Sequence, residues 1–235
     1  MTIEKRIAEL DWGRLTDDID RRGWATTGPL LKPGECKALA GAYDDDRLYR
    51  STVIMARHGF GQGEYRYFAY PLPPLIQQLR QSFYERLVTL ANRWREGLGV
   101  GDPFPPTFEE YIVRCHAAGQ TRPTPLILRY GQGDYNCLHQ DLYGPLTFPL
   151  QAAFLLSQPG TDFTGGELVL TEQRPRMQSR VQVVPLAAGE AVMFAVNHRP
   201  VEGTRGTYRV SMRHGVSLLR EGRRHTLGII LHDAA

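Results

Sequence analysis

Leu126-Ile127-Leu128-Arg129-Tyr130-Gly131-Gln132-Gly133-Asp134-Tyr135-Asn136-Cys137-Leu138-His139-Gln140-Asp141 reads as two extended runs joined by a glycine turn, the second ending in a His-x-Asp triplet. Residues two apart in a strand project to the same side, so His139 and Asp141 can aim at one point while Gln140 faces away. That is half of a metal site. An imidazole and a carboxylate presented together suit a borderline divalent ion, and one further histidine completes a three-ligand face with coordination positions left open. A structural zinc site closes instead with a fourth protein ligand. Alone the triplet is a short pattern, more often a surface or turn pair than a ligand pair, so the rest of the chain has to supply the other parts.

At 235 residues the chain is long enough for one sizeable core. The expectation is a single domain over 1–235, with a mostly helical part over 1–120 and a strand-rich catalytic core over 121–235. Hydrophobic content of 42% and charged content of 23% argue against disorder and against a fibrous class. No uninterrupted apolar run is long enough to cross a bilayer, and the charged start from Met1 to Leu10 lacks the apolar segment of a signal peptide. A cytoplasmic location without a membrane partner is therefore expected. Cys36, Cys115 and Cys137 are odd in number and widely spaced, which reads as reduced thiols and not as a disulfide framework. The net charge of +3 permits an anionic partner without requiring one.

Along the chain, Ile3 to Arg21 has helical spacing, Gly23 to Leu31 is extended, and Lys32-Pro33-Gly34-Glu35-Cys36 opens a second helix. Residues 56–71 interleave glycine, arginine and aromatics without a helical period. Two readings stay open for them. In one, a mobile loop places Arg57, Phe60, Tyr65 and Tyr67 over a substrate; in the other, Tyr65, Tyr67 and Phe68 form a strand packed on the core. Leu75 to Leu98 is a long amphipathic helix, and Thr107 with Glu110 forms a capping box for another that ends near Gly119. Eight short strands follow: 125–130, 136–142, 148–157, 167–171, 180–185, 191–196, 210–218 and 224–231. The expected fold class is α+β, a double-stranded β-helix (a cupin-like jelly-roll barrel) carried on N-terminal supporting helices.

Four histidines follow the triplet: His198, His214, His225 and His232. The missing ligand should sit on a late strand and be followed by a cation able to hold a carboxylate inside the barrel. His214 satisfies both conditions. It lies in the seventh strand, with Arg224 at the start of the eighth and Thr226 on the same face two positions on. A guanidinium fork binds a carboxylate through two parallel bonds, and a hydroxyl can add a third. His198 is the competitor, placed in a Gly- and Arg-rich loop with Arg209 nearby. His225 and His232 read as outward or terminal polar residues. Two histidines and one carboxylate with open positions make the face of non-heme Fe(II) oxygenases.

The strand-rich half resembles the Fe(II)/2-oxoglutarate-dependent dioxygenase superfamily, with His139, Asp141, Gly165-Gly166-Glu167, Pro185, Gly189 to Phe194, His214 and Arg224 in the expected order. Within it, Arg129-Tyr130-x-x-Gly133 leading to Leu138-His139-Gln140-Asp141, and His214-Gly215-Val216, are similar to the AlkB-type demethylases of alkylated nucleic acid. Leu128 stands where those demethylases carry a cosubstrate-binding asparagine, and Ile230 where they carry a second arginine. The whole chain, including Arg57-His58-Gly59-Phe60 and Arg114-Cys115-His116-Ala117-Ala118-Gly119-Gln120, more closely resembles a bacterial oxygenase family classed as acting on damaged nucleic acid. The resemblance implies Fe(II) at His139, Asp141 and His214, O2, and 2-oxoglutarate as cosubstrate in contact with Tyr130 and Arg224. It implies oxidative dealkylation of alkylated DNA or RNA with release of succinate and CO2. A prolyl or other protein hydroxylase acting on a peptide, or a small-molecule hydroxylase, would use the same iron chemistry. A non-enzymatic, cupin-like metal-binding or sensing module is the remaining alternative.

Overall fold

Helical spacing alone joins Ile3 to Arg21, but the computed structural model, which describes residues 1–204 and 206–235, divides this stretch in two. α1 (Ile3–Ala8) is capped by Thr2, and α2 (Trp12–Arg22) by Asp11, whose carboxylate accepts the Arg14 amide at 3.0 Å. A short acidic side chain satisfies a free helix-end amide better than it continues a helix, so Asp11 restarts the chain in a new direction. After β1 (Trp24–Pro29) and α3 (Pro33–Gly41) come β2 (Tyr49–Ile54), β3 (Gly61–Gln62) and β4 (Glu64–Phe68). α4 (Pro74–Leu98) buries Ile76, Leu79, Phe83, Leu87, Leu90 and Trp94 along one face. α5 (Phe108–Ala117) starts on the Thr107–Glu110 capping box expected for it.

The remainder is strands: β5 (Leu126–Tyr130), β6 (Tyr135–His139), β7 (Leu150–Leu155), β8 (Phe163–Gly165), β9 (Leu168–Gln173) and β10 (Arg180–Val184). They continue with β11 (Glu190–Ala195), β12 (His198–Gly203), β13 (Gly206–Val216), β14 (Leu219–Gly222) and β15 (Arg224–Ile229). One sheet runs β1-β11-β7-β15-β5-β4-β2, and the other β10-β9-β13-β6-β3 with β12 paired to β13. The eight strands read from the sequence divide four and four between these sheets, which is the jelly-roll arrangement. The helices pack outside; Phe83 of α4 meets Phe154 of β7 edge-to-face at 5.8 Å between ring centroids. No helix among the described residues is long and apolar enough to cross a membrane.

Of the two readings of residues 56–71 the structure takes the strand for Tyr65 to Phe68: β3 pairs with β6, and β4 is held between β2 and β5. The alternation Tyr65-Arg66-Tyr67 carries that strand, and the loop is left with the turn Met55–His58 and the Gly59-Phe60 tip. His198, assigned to a loop, opens β12, whose six residues form a hairpin with β13. Pro200 and Gly203 hide this strand from a propensity reading.

The C-terminal end is locked to the helices by a buried ion pair. Arg80 of α4 and Asp233 are both fully buried, 2.6 Å apart, and Arg80 Nε also donates to the Ile230 carbonyl at 2.9 Å. The other Asp233 oxygen accepts from Tyr70 at 2.9 Å and lies 2.8 Å from His116 Nε2. Gln120 Nε2 donates to the Asp233 and Leu146 carbonyls. Asp233→Ala, which strands the Arg80 charge, is expected to lower the unfolding free energy in urea by roughly 3–5 kcal/mol. The double replacement Arg80→Met with Asp233→Leu should cost clearly less; equal losses would show that the charge pairing is not the source of the effect.

Candidate active site

Asn136, His139 and Asp141 lie on and just beyond β6, whereas His214 arrives from far along the chain through β13. The two strands pair antiparallel with His214 directly opposite His139, which brings the imidazole centroids to 4.1 Å. Asp141 Oδ2 lies 3.3 Å from His214 Nε2, and Asp141 Oδ1 lies 3.6 Å from His139 Nε2. One ligand atom from each of the three residues lies within 4.8 Å of the others.

The surroundings fix these groups in ligand form. His139 Nδ1 faces the Cys137 carbonyl at 2.8 Å, which sets the tautomer that turns Nε2 toward Asp141. Burial, and then the neighbouring His214, lower the pKa of His139, keeping it neutral. Burial alone would raise the Asp141 pKa, but the hydrogen bond and charge of His214, with His139 and Tyr143, bring it well below the ordinary carboxylate range. Tyr143 donates to Asp141 Oδ1 at 2.7 Å and Gln151 Nε2 to Oδ2 at 2.8 Å, while Tyr67 stands behind Tyr143 at 3.0 Å. Two imidazoles and an ionised carboxylate on one face fit a divalent iron with free positions.

A second polar centre shares the cavity. Arg224 opens β15 directly across from Tyr130 of β5 and is 2% exposed. Among the described residues its one side-chain hydrogen bond is from Nη1 to Thr226 Oγ1 at 2.6 Å, and its Nε is buried without a partner. Burial lowers its pKa, while Tyr130 and the more distant Glu167 carboxylate act in the opposite direction, neither acid group within ion-pair distance. Burial likewise pushes Tyr130 up to about 12, so its phenol stays a neutral donor. An unpaired buried guanidinium fits a carboxylate-bearing ligand. The cavity, about 310 Å³, is lined by the three clustered residues, by Arg224, Thr226 and Tyr130, and by the exposed Phe60 and the half-buried Tyr65.

Of the other residues singled out in the sequence, Arg57 is exposed on the turn before Gly59 and does not line the cavity. Tyr67 is buried behind Tyr143, with Arg50 over its ring at 4.4 Å. His198 lines a separate cavity with Arg209. His232 is not an outward residue: it is fully buried, its Nδ1 accepting the Phe148 amide at 3.3 Å, whereas His225 is half-buried on the face of β15 opposite Arg224 and Thr226 and packs on Tyr43 at 6.0 Å between ring centroids. Tyr143 and Gln151 were missed, although each left a signal. Tyr143 continues the two-residue alternation from His139 and Asp141, and Gln151 is a lone polar residue within Phe148 to Leu156.

Residues 63–234 match the family described as "Oxygenase, catalysing oxidative methylation of damaged DNA". Two uncharacterized proteins of Mycobacterium tuberculosis, from strains CDC 1551 and H37Rv, are 48% identical to the chain over 168 residues, 72% of this chain and 72% of theirs. Among solved structures, a Pseudomonas putida prolyl-4-hydroxylase superposes with a TM-score of 0.55 at 16% identity, covering 92% of this chain and 96% of that one. A 2OG-Fe(II) oxygenase family oxidoreductase from Burkholderia pseudomallei gives 0.54 at 14%, covering 97% and 94%. The α-ketoglutarate-dependent epimerase SnoN of nogalamycin biosynthesis gives 0.56 at 16%, covering 92% and 80%. The double-stranded β-helix is the fold these neighbours share, and with the family match spanning most of its length the chain belongs to this oxygenase family.

Proposed function

We propose that the enzyme removes alkyl groups oxidatively from nucleic acid, with Fe(II) held by His139, Asp141 and His214 and 2-oxoglutarate held by Arg224, Thr226 and Tyr130. The observation that carries the assignment of ligands is Arg224, a buried guanidinium without an acid partner on the wall of the cavity that holds the three clustered ligand atoms. A charge left uncompensated in a protein interior costs several kcal/mol, and a diacid whose far carboxylate reaches Arg224 offsets that cost. Bound Fe(II) and 2-oxoglutarate supply the oxidation of a substrate C–H bond by O2, with succinate and CO2 as by-products.

The chain's own residues bind and orient. Tyr143 and Gln151 hold both Asp141 oxygens in place, and the Cys137 carbonyl holds the His139 ring. Phe60 and Tyr65 offer ring faces to an unstacked base at the cavity wall. A base within a duplex has to be swung out of the stack to reach such a cavity. Hydroxylation of an N-methyl group gives an unstable product that sheds formaldehyde and restores the base. We read the oxidative methylation chemistry in the family description in that sense, as oxidation at a methyl group on damaged DNA.

A second reading has support of its own. The P. putida neighbour is a prolyl-4-hydroxylase and SnoN is a biosynthetic epimerase, so the same barrel serves a peptide or a small molecule in other proteins. The deciding measurement is succinate release with Fe(II), 2-oxoglutarate and O2 across N-methylated single- and double-stranded DNA and RNA, proline-containing peptides and small metabolites. Stimulation by methylated oligonucleotides, with formaldehyde in matching amount, is expected. Stimulation by peptides or metabolites alone would transfer the enzyme to the hydroxylases.

Two variants test the ligand assignments. His214→Ala, with its melting temperature as folding control, is expected to lose turnover; a variant that still turns over would require another third ligand. Arg224→Ala is expected to raise the KM for 2-oxoglutarate roughly ten- to a hundredfold, the range for a lost hydrogen bond to a charged group. An unchanged KM would place the cosubstrate elsewhere.

A further inference from the structure

A second cavity, about 220 Å³, lies between the last turn of α4, residues 100–104, the entry to β7 and the β12–β13 hairpin. None of its lining residues lines the first cavity. Three basic side chains reach it from three different elements: Arg95 from α4, His198 from β12 and Arg209 from β13. No acidic residue lines it, and Leu98, Val100 and Pro149 provide apolar wall.

The arrangement of Arg95 is built rather than incidental. Its guanidinium lies over the Phe104 ring at 4.5 Å, and on its other side runs the Gly101 backbone, where φ is +57° and an added Cβ would collide with Arg95 Nη2. Arg95 Nε is buried with no hydrogen-bond partner, and so is His198 Nδ1. Arg93, two residues earlier on the same helix, is paired with Asp20. Among the described residues no ion pair or side-chain hydrogen bond engages Arg95 or Arg209. Burial, and then the neighbouring Arg209, lower the pKa of His198, as expected of an imidazole facing uncompensated positive charge.

We propose that this cavity binds a small phosphate monoester, its phosphate between Arg95, His198 and Arg209 and its organic group against Leu98, Val100 and Pro149. The geometry favours phosphate over carboxylate. A planar carboxylate is satisfied by a single guanidinium fork, whereas donors that come from three elements match the several oxygens and double charge of a tetrahedral phosphate. The stacked, backbone-cradled Arg95 is pre-ordered, so little side-chain entropy is lost when it takes up the anion.

The test is calorimetric titration of the full chain with inorganic phosphate and with phenyl phosphate, with and without saturating 2-oxoglutarate so that Arg224 is occupied in one arm. Both phosphates are expected to bind in both arms, phenyl phosphate more tightly. Arg95→Gln and Arg209→Gln should each weaken binding about tenfold or more, while Arg224→Gln should change it by less than about twofold, as for a distant independent site. Arg209 is exposed, so its replacement leaves the fold intact and keeps the test decisive even if Arg95→Gln is poorly folded. Phosphate affinity undiminished in Arg209→Gln, or lost only in Arg224→Gln or under 2-oxoglutarate, would overturn the proposal. Succinate binding as tightly as phenyl phosphate would overturn the choice of phosphate.

Discussion

His214 stands beside His139 because β13 pairs with β6 in one particular register, and the chemistry of the cavity depends on that register. Side chains alternate along a strand, so a slip of one residue would put Arg213 or Gly215 opposite His139 and turn His214 out of the cavity. Several features pin it. On its other edge β13 pairs without interruption with β9, from Ser211↔Gln173 to Val216↔Leu168. On the β6 side the ladder shifts between His214 and Val216, where a Cβ on Gly215 would come within 2.6 Å of the Asn136 carbonyl oxygen. A glycine there lets the two backbones approach closely enough to set the histidines side by side.

Buried charge is distributed according to use. The Arg80–Asp233 pair, neither member of which lines the cavity, is closed on both sides by hydrogen bonds from Tyr70 and to the Ile230 carbonyl. Arg199 and Glu172, also buried, are bonded to each other. Such pairs hold elements together and have no vacancy for a ligand. Asp141 is held by hydrogen bonds and faces the imidazoles of His139 and His214, and Arg224 has only a hydroxyl within hydrogen-bond reach. Both are stable arrangements only with something of opposite charge nearby. A divalent cation at one end and a carboxylate at the other would supply it, and the proposed metal and diacid would share one cavity.

Much of this was legible in the amino-acid sequence because it rests on local rules. Alternation placed His139 with Asp141 and Arg224 with Thr226, the Thr107–Glu110 box fixed the start of α5, and eight strands with turn residues between them implied the barrel. The parts that stayed hidden depend on partners distant in sequence. β12 contains a proline and a glycine and is a strand only because β13 folds back on it; for Tyr65 to Phe68 the strand was one of two open readings, and pairing with β5 decides it. The helix break at Asp11 was local and was still missed, since the apolar spacing runs across it while the cap acts through one carboxylate. Tyr67 was read as a stacking surface for a substrate, but pairing with β5 buries it, where it backs Tyr143.

The lining of the cavity between its two polar ends bears on what the enzyme can accept. Leu128 and Ile230, at the positions where the AlkB-type demethylases carry an asparagine and a second arginine, are both lining residues here, together with Ala153, Leu168 and Phe194. A diacid that spans from the clustered ligand atoms to Arg224 would therefore have charge matched at its ends and apolar contact along its middle. With one guanidinium and one hydroxyl at the far end, most of its orientation would come from that single fork, because apolar walls set depth but not rotation. The space that remains lies toward Phe60 and Tyr65, whose backbones are tied respectively to the β6 side of the barrel and to β5. Both sheets thus contribute to the wall there, through residues that belong to neither the three clustered ligand residues nor the Arg224–Thr226 pair. That separation is the physical reason one barrel can keep its iron chemistry while changing what it oxidises.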